Sequence, residues 1–345
     1  MRLKIELVVL DVKCGIMFMR QIKNCVNNVE IKRIIIPNSK WGLIKTFEDL
    51  YGDVYSICIV PINEIEKMLM EKNYANYYIV GYDERNCQLP LAQILKNKNN
   101  TINIFGMGTF DYVNNNETPL LQNVYVENTE INTDKIVLYI IKTCRFDNSE
   151  ITQIMLKNEL EKEGYNVWAL SDDTTPSFME IDNINEFFDI SKKGENIDYY
   201  KRFYTEISTR DPDIILIRLS SHIRLWEGNA NSFNMIYCSI RNIFNPDFCI
   251  LNLPLNALMN CWLSENEEAL SSYMHTKIDC FCINDYYYKL DYDKISDNTQ
   301  IMLCNEDDLE QLIQNYNNNK IIKYDNINSL KKLIFYKLAR TNDII

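Results

Sequence analysis

The sequence predicts an α/β protein of two domains, each built on a mainly parallel sheet covered by helices. Three observations carry that expectation. Short apolar, β-branched runs alternate with helix-length stretches from one end of the chain to the other, which is the pattern of βα units. The chain has 345 residues, of which 46% are hydrophobic, enough for two separate cores. Between residues 114 and 134 the alternation gives way to "NNNETPLLQNVYVENTEINTD", a polar stretch that reads as a connection. The expected domains are residues 1–128 and 135–345.

In the first domain, strands are expected at 3–10, 31–36, 54–60, 77–81 and 101–105, with helical stretches near 16–26, 63–72 and 89–96. In the second, strands are expected at 136–141, 167–170, 213–219, 248–253, 278–283 and 300–304. A helix is expected from 149 to 163. Two of the later strands share an entry phrase, "DPDIILIRL" from residue 211 and "NPDFCILNL" from residue 245. Proline stops the preceding helix there and aims the chain into the sheet. Late helices follow in "EDDLEQLIQNY" and "INSLKKLIFYKLAR", the second amphipathic through Leu330, Leu333, Ile334 and Leu338.

Composition narrows the function. Lys and Arg number 36 against 48 Asp and Glu, a net charge of −12. Nucleic acid, which demands basic patches, is not an expected partner. The apolar run at 7–10 is too short for a signal segment and is followed by Asp11. No run approaches the length that spans a bilayer, so no membrane is expected as a partner. The 11 cysteines lack the spacing of a disulfide scaffold; a cytoplasmic location with reduced thiols is expected. Glycines number 9 and histidines 2. Phosphate-cradling loops lean on the first and much proton-transfer chemistry on the second.

The stretch "IIKTCRFDNSEITQ" runs from strand through loop to helix, where a phosphate-binding loop would sit. Against G-x-x-x-x-G-K-[ST], Ser149 falls at the hydroxyl position. Lys142 and Asp147 stand at the glycine positions and Asn148 at the lysine. Without glycine the backbone cradle is lost, and Asp147 with Glu150 reads as a capping box. The loop is expected to be empty. If it did hold a nucleotide, Lys142, Ser149 and Asp172 with Mg²⁺ would be the residues.

Other constellations are weaker. Gly106-x-Gly108 follows a strand, but Asp111 takes the third glycine position of a dinucleotide fingerprint. Ser221 beside His222 lacks a third group for nucleophilic catalysis. His275, Cys280 and Cys282 are spaced as H-x4-C-x-C, and Cys261 or Cys304 would have to complete a metal set; no metal and no cofactor is expected. Trp41, Gly42 and Leu43 are expected in a loop after a strand. His222, Arg224 and Trp226 are expected in another, beyond the strand at 213–219. Both loops are read as partner-binding, since aromatic anchors in polar loops suit interfaces.

"IIIPNSKWGLIK", "KNELEKEGYNVWALSDD" and "DPDIILIRLSSHI" together resemble a clostridial peptide maturation system protein family. The second half of that family is similar to degenerate P-loop domains of the dethiobiotin-synthetase type. The resemblance implies a Rossmann-like first domain and a P-loop-like second one. It also implies a non-catalytic accessory role in maturing a ribosomal peptide, with a precursor peptide or a radical-SAM maturase as partner. Ser39-Lys40 before Trp41, and Ser220-Ser221 after the strand, depart from its pattern. The competing reading is a divergent nucleotide-dependent ligase or NTPase.

Overall fold

The computed structural model describes residues 3–25, 29–70, 76–82, 101–106, 134–144, 147–173, 179–188, 199–220, 235–289, 300–316 and 318–342. The chain divides into two compact units, Met1–Leu120 and Leu121–Ile345.

The first unit alternates β1 (Leu3–Val9), α1 (Val12–Cys25), β2 (Val29–Pro37), α2 (Trp41–Tyr51), β3 (Ile57–Val60), α3 (Ile62–Met70), β4 (Asn76–Tyr82) and β5 (Thr101–Gly106). Its sheet runs β3-β2-β1-β4-β5, all pairs parallel. This is the Rossmann-like order, reversing between β1 and β4. Leu7, Val8, Ile34, Ile35 and Ile79 are wholly buried, as strands covered on both faces must be. Asp11 caps α1 by accepting the Cys14 backbone N–H at 3.0 Å. Gly81 crosses beside it with φ +75°, where a Cβ would meet the Asp11 Cβ at 2.4 Å; glycine is required at that crossing.

Two expectations change here. Trp41-Gly42-Leu43 is not a long loop but the first turn of α2, which begins shortly after β2 ends. Leu43, Ile44 and Phe47 are buried, and their helical spacing supplies the apolar face that carries the helix. The strand expected at 54–60 starts at Ile57, because Val54 and Tyr55 donate their N–H groups back to Tyr51. The helix expected at 89–96 lies outside the described residues.

The second unit begins with β6 (Ile136–Lys142), α4 (Ser149–Lys162), β7 (Val167–Ser171), β8 (Asp182–Asn183), α5 (Asn185–Phe188), α6 (Tyr199–Arg210) and β9 (Ile214–Ser220). It continues with α7 (Met235–Ile243), β10 (Phe248–Leu253), a 3₁₀ segment (Leu255–Cys261), α8 (Trp262–Tyr273) and β11 (Cys280–Ile283). A separate hairpin, β12 (Tyr286–Lys289) with β13 (Gln300–Leu303), precedes α9 (Glu306–Tyr316), β14 (Ile321–Lys323) and α10 (Ile327–Asn342). The seven-stranded sheet runs β14-β11-β10-β6-β9-β7-β8, with every pair parallel.

The first strand of this unit is therefore central, and its carboxyl end feeds a loop and then α4, a degenerate P-loop-like arrangement. Side chains of β6 alternate between two cores. Tyr139 and Ile141 join α7 and α8 on one face; Leu138 and Ile140 join α4 and α10 on the other. The repeated Pro-Asp phrase is a strand-entry device. The Asp213 carboxylate accepts the Asn166 N–H at 2.7 Å, and that of Asp247 accepts the Val137 N–H at 2.8 Å. Each holds the start of the neighbouring strand.

Candidate functional site

At the carboxyl end of the second sheet, side chains aimed toward the start of α4 are polar and buried or half-buried. Lys142 ends β6, Asp172 and Asp173 follow β7, Arg218 and Ser220 close β9, and Asn252 lies in β10 level with Lys142. Asn284 follows β11. Above them, α4 supplies Ser149, Thr152 and Gln153, all fully buried.

Asp173 is the hub. One of its carboxylate oxygens receives Lys142 Nζ at 2.9 Å and Arg218 Nη1 at 2.7 Å. Arg218 is 1% exposed. Its Nε reaches Gln153 Oε1 at 3.3 Å and its Nη1 lies 3.5 Å from Ser149 Oγ. Gln153 is fixed in turn by donating to the Leu170 carbonyl at 2.8 Å. Asp172 turns the other way and accepts the Ser220 backbone N–H at 2.7 Å. Ser149 donates its hydroxyl and its backbone N–H to one Asp147 oxygen, at 2.6 and 3.0 Å. Asp147 is thus an Asx-type brace one residue before the helix cap, not the cap of a capping box. The cap position belongs to Asn148, whose N–H is taken by Asn284 Oδ1 at 3.1 Å and whose amide donates to Asp285 at 2.9 Å.

The electrostatics follow from crowding. Burial pushes the Asp173 carboxyl up, but the Lys142 and Arg218 charges overcome it and hold the group well below the carboxylate range. Burial, reinforced by the Asp173 charge, pushes Asp172 up to about 6. Burial also raises Asp147 and Glu150 against the pull of the two cations. Burial opposes charge on Lys142 and Arg218, yet the carboxylates more than compensate and both are raised. Lys142 and Arg218 are both committed to Asp173.

Several buried polar atoms have no hydrogen-bond partner among the described residues. In this cluster they are Arg218 Nη2, Asn252 Nδ2 and Asn284 Nδ2 as donors, and Asp147 Oδ2, Asn148 Oδ1 and Asn252 Oδ1 as acceptors. A phosphate accepts from donors alone, so this mixed set suits ordered water better than an anion.

Of the residues read from the sequence as nucleotide-binding, Lys142, Ser149 and Asp172 do meet in one cluster, though each is held by another protein group. Of those read as partner-binding, Trp41 opens α2, Gly42 is exposed on its first turn, and Leu43 is 3% exposed. Leu43 therefore belongs to the core and has no side chain to offer a partner. His222, Arg224 and Trp226 lie outside the described residues, as does Ser221. Gly106 ends β5; Gly108 and Asp111 also lie outside. Cys280 and Cys282 share one buried face of β11, where burial holds the Cys280 thiol well above its ordinary value. Among the described residues no three His, Cys, Asp or Glu side chains are grouped to hold a metal ion, and no helix is long and apolar enough to cross a membrane.

Arg218, Gln153, Asn252 and Asn284 belong to no catalytic or binding motif in the sequence. A signal existed: an arginine inside "IILIRL" and an asparagine inside "CILNL" are polar residues in otherwise buried strands, and such residues demand partners.

No protein-family model and no curated protein matches the chain. Its fold does have a solved counterpart. A DUF1611-family protein from Anabaena variabilis aligns over 96% of this chain and 99% of its own, with a TM-score of 0.53 and 10% identity. At that identity the likeness is one of fold. An apo-form GTPase from Pyrococcus abyssi aligns over 59% of this chain and 84% of its own, with a TM-score of 0.29 and 12% identity.

Proposed function

We propose that this chain is a non-catalytic accessory protein that acts by binding, and that its P-loop-like position has become a structural keystone. One observation carries the reading. The carboxylate of Asp173 takes both Lys142 and Arg218, the two cations that the described residues bring to the start of α4. An incoming triphosphate would have to displace that carboxylate and accept Asp147 and Glu150 as neighbours at the helix start, where like charges repel it. Ser149 and Asp172, the hydroxyl and acid that Mg²⁺ would need, are engaged by Asp147 and by the Ser220 N–H. These commitments disfavour the ligase or NTPase alternative.

The partner class follows from the resemblance: a cysteine-rich precursor peptide or a radical-SAM maturase. Co-elution of the purified chain with each candidate on size exclusion tests the reading. A stoichiometric complex that forms equally well with and without Mg-ATP is expected. Turnover of ATP or GTP abolished by Lys142→Ala would reverse it.

A further inference from the structure

We propose that the open edge of the second sheet, at β14, is a docking site for an extended peptide that adds to the sheet as a further strand. The kind of partner rests on the accessory reading above; the location rests on the edge itself.

β14 pairs with β11 through residues 320, 322 and 324, as the bonds from Phe281 N–H to the Lys320 carbonyl and from Tyr324 N–H to the Ile283 carbonyl require. The intervening residues face outward. Ile321 C=O and Lys323 N–H therefore form an acceptor–donor pair with no backbone partner among the described residues. That pair is the template one residue of an added strand satisfies. The edge is the floor of a trough of about 1090 Å³. Its walls are α9, which covers the face of Ile321, and α10, which covers the face of Ile322.

Lys323 and Asp325 also line the trough, and Lys323 pairs with Asp325 and Glu306, so the contrast between the walls rests on their remaining charges. On the α9 side stand Glu310 and the half-buried Ile313; on the α10 side stand Lys332 and Tyr336, the latter 59% exposed. Glu310 and Lys332 make no ion pair among the described residues. Side chains of an added strand alternate between faces. A complementary peptide thus sends basic or aliphatic residues toward α9 and acidic or aromatic residues toward α10. A second copy of this chain fits poorly. Antiparallel pairing of two β14 edges would bring α9 against its own copy, with Glu310, which lines the trough, near its own like charge.

The test uses the full chain and a fluorescent acetyl-Lys-Glu-Val-Tyr-Lys-Glu peptide, read by anisotropy. Saturable binding is expected. It should be abolished by N-methylating one alternate set of peptide amides and tolerate methylation of the other. Glu310→Lys, at an exposed position, should weaken binding at least tenfold, and exchanging the peptide lysines for glutamates should restore it on that variant. No saturable binding by the wild type, or binding indifferent to both methylation sets and to Glu310→Lys, would overturn the proposal. If precursor capture succeeds yet ignores Glu310→Lys, the edge site falls while the accessory reading stands. If the test peptide binds at the edge but no precursor or maturase is captured, the reverse holds.

Discussion

Arg218 and Asp173 meet at 2.7 Å beneath the start of α4, with the arginine 1% exposed. The same Asp173 oxygen holds Lys142. Removing the hub leaves two buried cations without their shared partner, a loss that typically costs about 3–5 kcal/mol. Asp173→Ala should therefore destabilise the chain by that order in urea denaturation. The triple variant Asp173→Leu, Arg218→Met and Lys142→Met, which removes all three charges, should recover most of the loss. A cost below about 1 kcal/mol for Asp173→Ala would mean the network bears little of the fold.

Asp172 predicts a pH signature. Its ordinary value of 3.8 is raised to about 6 by burial and by Asp173, so the folded state binds a proton more tightly than the unfolded one. Its contribution is fully favourable below about pH 4 and is lost as pH rises through 6. Asn at this position keeps an acceptor for the Ser220 N–H without the charge. Asp172→Asn should be more stable than the wild type at pH 8 in urea denaturation, by at most roughly 3 kcal/mol, with the difference vanishing near pH 4. An unchanged difference across that range would show that the charge is not the cause.

Two neighbours in α2 should respond in opposite senses. Leu43 is buried, and Leu43→Ala should cost about 2–5 kcal/mol. Gly42 is exposed in the helix, with open space where a Cβ would stand, and Gly42→Ala should stabilise by about 0.5–1 kcal/mol. Thermal melts of the two variants check both. A destabilised Gly42→Ala would mean the first turn of α2 is not helical in solution.

The fold was legible because both sheets are parallel and covered on both faces, so strands such as "IVLYIIK" and "FCILNL" stand out as continuous apolar runs. The short strands β8 and β14 did not, since two or three residues carry no periodicity. α2 was hidden by Trp41-Gly42, which reads as loop chemistry, while the apolar spacing of Leu43, Ile44 and Phe47 was the better guide. At the candidate site, the lost glycines at Lys142 and Asp147 were visible as letters. The compensating Arg218 was not, because its partner Asp173 lies 45 residues away in sequence and pairing across strands is set by topology.

Asp173 holds the cations that a phosphate beside α4 would need. Titration calorimetry of the wild type with Mg-ATP and Mg-GTP tests that commitment most directly. No saturable heat is expected up to millimolar nucleotide. A dissociation constant in the micromolar range, lost on Lys142→Ala, would contradict the account.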